Sequence, residues 1–87
     1  MDLKLKGKKA LVMGASTGLG KAIAEALVKE GATVAICSRS LEKLKATAAT
    51  IGCHHYFTCD LSKAGEARHV VEKAMEEMKG LDILVTN

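Results

Sequence analysis

The feature that most constrains this chain is a glycine-rich turn between an apolar run and a helical pattern. Residues 10–13 read Ala-Leu-Val-Met, then come Gly14, Gly18 and Gly20, and an amphipathic segment begins at Lys21. Glycine lets the chain turn sharply at the end of a strand and leaves no Cβ in the way of a ligand. The free N–H groups and the dipole of the following helix favour an anion. The stretch therefore predicts a strand, a phosphate-binding turn and a helix.

The spacing of the glycines narrows the kind of phosphate-binding turn. It reads Gly14-x-x-x-Gly18-x-Gly20 with no Lys-Ser/Thr pair after it, which excludes a Walker A loop. It is a looser form of the GxGxxG dinucleotide fingerprint, in the expected context of a strand before and a helix after. A tight turn that binds no ligand would use the same glycines, so both interpretations stay open on this stretch alone.

Short apolar runs alternate with amphipathic segments along the whole chain. The runs predict strands over 8–13, 33–37, 54–59 and 81–86, and the segments predict helices over 19–30, 41–50 and 63–79. Ser40 and Ser62 are the expected N-caps, and Gly31, Gly52 and Gly80 the expected helix ends. Each helix has an apolar stripe that is expected to be buried. The stripe comprises Ala22, Ile23, Ala26 and Leu27 in the first helix, Leu41, Leu44, Ala48 and Ile51 in the second, and Ala67, Val70, Val71, Ala74, Met75 and Met78 in the third.

This order of elements predicts an α/β fold of the Rossmann type, a three-layer sandwich with a parallel βαβαβαβ sheet. Right-handed crossovers on alternate faces give the strand order 3-2-1-4, with a ligand crevice between the first and fourth strands. The fourth strand would expose an apolar edge. We therefore expect residues 1–87 to be the first half of a larger doubly wound sheet, or a partner to cover that edge.

Size and charge restrict the function classes. The 87 residues suffice for one small domain, and the net charge is only +3. Four lysines near the N-terminus lack the interleaved aromatic residues that stack on bases, so no nucleic-acid partner is expected. No apolar run approaches the about 20 residues of a membrane span, and the N-terminus does not resemble a signal peptide. Three irregularly spaced cysteines favour a reducing, cytoplasmic location.

A zinc site is the first interpretation that Cys53, His54, His55 and Cys59 invite. Successive residues of a strand point to opposite faces, so the two histidines would not converge on one ion. The spacing also matches no common zinc motif. No metal site is predicted.

The end of the second strand bears on which dinucleotide is bound. An acidic residue there would accept hydrogen bonds from the adenosine ribose of NAD. The chain has Ser38 and Arg39 instead, and a hydroxyl with a guanidinium suits a 2′-phosphate. This favours NADP(H) over NAD(H), and the alternative is an exposed arginine in a turn.

Four motifs together resemble the N-terminal half of the short-chain dehydrogenase/reductases, with 3-oxoacyl-[acyl-carrier-protein] reductase-like members the most similar. They are the glycine turn, Cys37-Ser38-Arg39, Cys59-Asp60-Leu61-Ser62 and the run Leu81-Asp82-Ile83-Leu84-Val85-Thr86-Asn87, and the resemblance covers essentially the whole chain. It implies a cofactor site in which the pyrophosphate side is held by Gly14, Ser16, Thr17, Gly18, Leu19 and Gly20. It further implies that the 2′-phosphate contacts Ser38 and Arg39, that the adenine contacts Asp60 and Leu61, and that Asn87 supports the adenosine side.

The resemblance also implies the activity of the parent polypeptide, which is hydride transfer between a nicotinamide cofactor and a carbonyl or hydroxyl substrate. The family's catalytic Ser, Tyr and Lys lie beyond the fourth strand, so residues 1–87 alone are expected to be inactive. Tyr56 has Asp60 four residues later rather than a lysine, and no catalytic role is assigned to it. The parent is expected to be a cytoplasmic homo-oligomer, either a tetramer or a dimer. The alternative is a non-catalytic nucleotide-binding or interaction module that recruits a partner through the edge of strand four.

Overall fold

The computed structural model describes residues 5–86, and Asn87 lies outside the described part. Four strands alternate with three helices in the order that the sequence predicts. The strands are β1 (Lys9–Met13), β2 (Thr33–Ser38), β3 (His55–Thr58) and β4 (Ile83–Val85). The helices are α1 (Gly18–Lys29), α2 (Leu41–Ile51) and α3 (Glu66–Met78).

The strands form one parallel sheet in the order β3-β2-β1-β4, which confirms the predicted Rossmann-type topology. Met13 pairs with Cys37, and Ser38 pairs with Thr58. This register brings the carboxyl ends of β1, β2 and β3 to one edge of the sheet. The loops that follow these three strands are therefore neighbours.

The two faces of the sheet bury two separate sets of side chains. Ala10, Val12, Val34 and Ile36 face α1 and α2, whereas Leu11, Met13, Ala35 and Cys37 face α3. Alternate residues of one strand thus contribute to opposite cores, and both faces need apolar residues. The result is the predicted three-layer sandwich with an almost entirely aliphatic core.

The predicted start of the third helix is wrong. The helix begins at Glu66 with Gly65 as its N-cap in the left-handed region, at φ 83°. Ser62 caps nothing, because its N–H and its hydroxyl both donate to Asp60 Oδ1, at 3.0 and 2.6 Å. The local carboxylate outcompetes the helix for this serine. In contrast, Ser40 caps α2 as predicted, accepting a hydrogen bond from the Lys43 N–H at 3.3 Å.

The predicted buried stripes are partly wrong at their margins. Leu41 and Met75 are each 46% exposed, and Ala22 and Ala26 are exposed on α1. Leu41 is the first residue of α2 and does not belong to either buried core cluster. On α3 the buried residues Val70, Ala74 and Met78 are each four positions apart, and Met75 does not belong to this buried row. Among residues 5–86 no helix has the length and apolarity needed to cross a membrane.

Candidate functional site

A cleft of about 420 Å³ opens at the carboxyl edge of the sheet. Its walls are the loops that follow the first three strands, and they include Gly14 and Ser16 after β1, Ser38 and Arg39 at the end of β2, and Asp60 after β3. No residue of β4 lines it, so the cleft differs from the crevice expected between the first and fourth strands.

The glycine turn is bonded to β2 at its start. The N–H groups of Gly14 and Ala15 both donate to the Cys37 carbonyl oxygen, at 2.9 and 3.2 Å. Gly14 lies at φ 71° and Gly18 at φ 62°, in the region that glycine enters without strain. A Cβ added to Gly18 would meet no atom within 4 Å, so the space above this residue is open. The turn is thus anchored at one end and accessible at the other.

The amino end of α1 has the features of an anion site. Its N-cap Thr17 is extended, and the Thr17 side chain accepts no capping hydrogen bond. The first turn contains no acidic residue that would offset the positive end of the helix dipole. Leu19 is 67% exposed, whereas Gly20 is buried against the core, as expected for the glycine that lets α1 approach the sheet. Gly18 to Gly20 belong to this helix end, adjacent to the cleft lining rather than part of it.

Ser38 is the most informative residue of the cleft. The residue is only 8% exposed, and its Oγ forms no hydrogen bond with any of the described residues. A buried polar group without a partner costs about 1–3 kcal/mol. Ser38 and exposed Arg39, which follows it directly in the chain, both line the cleft. A hydroxyl and a guanidinium are both donors from which a phosphate oxygen can accept.

Asp60 presents a carboxylate on the wall formed by the loop after β3. The two Ser62 hydrogen bonds hold the pKa of the Asp60 carboxyl below its usual range, and the nearby Arg39 guanidinium lowers it further. The Asp60 N–H donates to Glu66 Oε1 at 2.8 Å, which ties the loop to α3. Leu61 is 40% exposed and also lines the cleft. This wall therefore combines an ionised acceptor with an apolar surface, a combination that suits a heteroaromatic base.

Two residues of α2 that the sequence analysis did not single out belong to this region. Lys43 lines the cleft from the first turn of the helix. Buried Thr47 donates its hydroxyl hydrogen to the Ser16 carbonyl oxygen at 3.1 Å, which joins α2 to the glycine turn. Lys43 had no local sequence signal, because Arg39 precedes the helix and helical spacing does not relate the two residues. The hydrogen bond from Thr47 to Ser16 also had no sequence signal, because 31 residues separate the two partners.

The remaining polar residues considered from the sequence lie outside the cleft or are engaged elsewhere. Tyr56 is on β3, the outermost strand, and is not among the lining residues. His55 Nδ1 is 2.8 Å from Glu77 Oε1. The Cys53 thiol donates to the carbonyl oxygens of Val34 and His55. Burial raises the pKa of the Cys37 thiol to about 11, so that group remains protonated at neutral pH.

Comparison with known proteins identifies the family of this chain. The family model described as short chain dehydrogenase matches residues 8–87. The chain belongs to the short-chain dehydrogenase family. Nodulation protein G of Rhizobium sp. (strain N33) is 42% identical over 85 residues, covering 97% of this chain and 35% of that protein. The sorbitol dehydrogenase of Cereibacter sphaeroides is 40% identical over 86 residues, covering 98% of this chain and 34% of that protein.

A solved ketoreductase structure shares the fold. It is the crystal structure of actinorhodin polyketide ketoreductase, a phenylalanine-to-tryptophan variant, with NADPH. It superposes with a TM-score of 0.86 at 35% identity, covering 93% of this chain and 33% of that one. The chain thus spans about a third of the length of the short-chain dehydrogenase relatives it matches.

Proposed function

We propose that residues 1–87 form the dinucleotide-binding domain of an oxidoreductase that prefers NADP(H). The observation that carries this proposal is the buried, unpartnered Ser38 hydroxyl next to Arg39 at the carboxyl end of β2. A 2′-phosphate offers acceptor oxygens to both groups, whereas the 2′-hydroxyl of NAD brings no charge to Arg39. The ketoreductase solved with NADPH supports the same choice.

We assign the other cofactor contacts to the walls of the cleft and to the amino end of α1. The pyrophosphate would lie at the glycine turn and the amino end of α1, where backbone N–H groups and the helix dipole favour negative charge. The residues proposed for it are Gly14, Ser16, Thr17, Gly18, Leu19 and Gly20. The adenine would lie between Asp60 and Leu61, with Asp60 Oδ2 accepting from its amino group, because Oδ1 already accepts from Ser62. Asn87, outside the described residues, is proposed to support the adenosine side.

The proposed activity of the parent protein is hydride transfer to or from a carbonyl or hydroxyl carbon of a small substrate, similar to 3-oxoacyl reduction. When bound, the nicotinamide supplies the hydride acceptor or donor. Residues 1–87 bind and orient the cofactor, and the proton-transferring residues are proposed to lie outside them. The parent is further proposed to act in the cytoplasm as a homo-oligomer, either a tetramer or a dimer.

The test compares Arg39→Asp with Arg68→Asp in the protein as its gene encodes it. Both substitutions reverse one charge, but Arg68 lies on α3 and faces Glu72 rather than the cleft. Arg39→Asp should weaken NADPH binding at least about tenfold, which corresponds to one charge-assisted contact, and should change NADH binding much less. Arg68→Asp should leave both dissociation constants within about twofold.

The outcomes separate the parts of the proposal. Equal losses for NADPH and NADH in Arg39→Asp would remove Arg39 from the 2′-phosphate site. Tighter binding of NADH than NADPH by the unaltered protein would overturn the NADP(H) preference. Failure to bind either dinucleotide would overturn the cofactor site as a whole.

A second candidate rests on the outer edge of β4, where Leu84 is 48% exposed. A non-catalytic module could recruit a partner by adding a strand to this edge. Leu84→Lys would then abolish partner capture while leaving dinucleotide binding unchanged. Carbonyl reduction by the natural gene product would favour the oxidoreductase instead.

A further inference from the structure

Lys43 occupies a defined position at the cleft. It is the third residue of α2, and its N–H donates to the capping Ser40 Oγ at 3.3 Å. This bond fixes the first helical turn directly after Arg39. The side chain lines the cleft together with Arg39 and Ser38, and it forms no salt bridge with any carboxylate in the described part of the chain.

Charge balance shows what this lysine adds. Among the residues that line the cleft, Arg39 carries one positive charge and Asp60 one negative charge, so these two cancel. Lys43 raises the formal total to +1. A phosphate monoester carries about −1.5 to −2 at neutral pH, and a cleft of zero net charge would favour it weakly. Glu42, the acidic residue in the same turn, does not line the cleft.

We propose that Lys43 is a second cation for the 2′-phosphate and acts with Arg39 to set the preference for NADP(H) over NAD(H). This inference rests on the proposed cofactor site and extends it to a residue on a different element. Ser38 supplies the independent sign of a ligand at this position, because the residue is only 8% exposed and its hydroxyl has no partner within residues 5–86. Arg39 holds the phosphate through a planar fork of donors, and Lys43 adds a mobile point charge from the helix.

The test uses Lys43→Gln with Lys45→Gln as its matched control, in the protein as its gene encodes it. Lys45 lies on the same helix, is also exposed, and does not line the cleft. Dissociation constants are measured for NADPH and NADH, and for the probes adenosine 2′,5′-bisphosphate and 5′-AMP. Lys43→Gln should weaken NADPH and the bisphosphate about tenfold and change NADH and 5′-AMP less than about twofold.

Additional measurements test whether the effect comes from the positive charge of Lys43. Added salt should weaken NADPH binding less steeply in Lys43→Gln than in the unaltered protein, because one screened contact is gone. Lys43→Arg should retain most of the affinity, since the charge is kept. Lys45→Gln should match the unaltered protein for all four ligands.

Each contrary result has a distinct meaning. If the unaltered protein prefers NADPH but Lys43→Gln behaves like Lys45→Gln, the role of Lys43 is overturned and the proposed cofactor preference stands. Equal weakening of NADPH and NADH would place Lys43 at a phosphate common to both, which also overturns it. An unaltered protein without a preference for NADPH would overturn the proposed function and this inference together.

Discussion

Ser38 has a buried hydroxyl that the folded chain leaves without a hydrogen bond. Such groups occur where a ligand completes the site, because the protein alone carries the desolvation cost. If the proposed cofactor site is correct, the bound ligand satisfies this hydroxyl, and the ligand-free protein carries the cost. Removal of the Ser38 hydroxyl should therefore preserve or raise the stability of the ligand-free protein while it weakens ligand binding.

Ser38→Ala is expected to separate these two effects. Without ligand, its free energy of unfolding should stay unchanged or rise by up to about 1 kcal/mol, because the unpaired group is removed. NADPH binding should weaken about tenfold and NADH binding less than about twofold, since only the former loses a charge-assisted hydrogen bond. Denaturant unfolding and ligand titration measure the two quantities. A ligand-free loss of stability above about 1 kcal/mol would mean that the folded protein does bond this hydroxyl.

At the scale of elements, the hydrogen bond from Thr47 to the Ser16 carbonyl couples α2 to the glycine turn. One helix thereby positions both the residues that follow β2 and the loop that follows β1. Movement of α2 would displace both walls of the cleft together. Thr47 is a positioning residue in this arrangement, since its own side chain does not line the cleft.

Thr47→Val is the nearly isosteric test of that coupling, and Thr50→Val is its control. Thr50 also donates to a carbonyl, but the acceptor is Ala46 within the same helix. Thr47→Val should lower the free energy of unfolding by about 1–2 kcal/mol and weaken NADPH and NADH about equally, because it releases a turn that both cofactors share. Thr50→Val should alter neither affinity. A selective loss of NADPH alone in Thr47→Val would contradict a role in positioning the turn.

Most helices and strands were predictable from the sequence, for reasons that differ between them. The apolar runs of β1 and β2 are buried on both faces, so their pattern is unambiguous. The start of α3 was not predictable from capping preference, because Asp60 takes both donors of Ser62. Predicting this required knowing that the loop folds back on itself.

The candidate site was predictable where chemistry and position coincide within a few residues. Ser38 and Arg39 follow directly from the end of β2, and the structure brings them into one cleft with Asp60. Lys43 and Thr47 depend on how α2 packs across the glycine turn, which is a property of the tertiary structure. The position of the cleft over β1 to β3 likewise depends on which loops rise beside it.

At the scale of the whole molecule, residues 1–87 are proposed to bind the cofactor, whereas the residues that transfer the proton are proposed to lie outside them. Within residues 5–86 the only tyrosine, Tyr56, lies on the outermost strand and away from the cleft. The Cys37 thiol beneath the cleft stays protonated, because burial raises its pKa to about 11. Cofactor binding and catalysis should therefore be separable in this protein.

A polypeptide of these 87 residues is accordingly expected to bind NADPH but to show no turnover with NADPH and a reactive ketone above the rate in buffer. General acid–base catalysis alone contributes typically 10²–10⁴-fold to such reactions, and the groups proposed to supply it lie outside residues 1–87. Circular dichroism and NADPH titration first establish that the polypeptide is folded, so that a lack of turnover is not caused by unfolding. An intact mass of the natural gene product, compared with the calculated 9.2 kDa, then tells which polypeptide to assay beside it. Turnover by the folded 87-residue polypeptide would show that its own residues transfer the proton, and would place the catalytic group within this cleft.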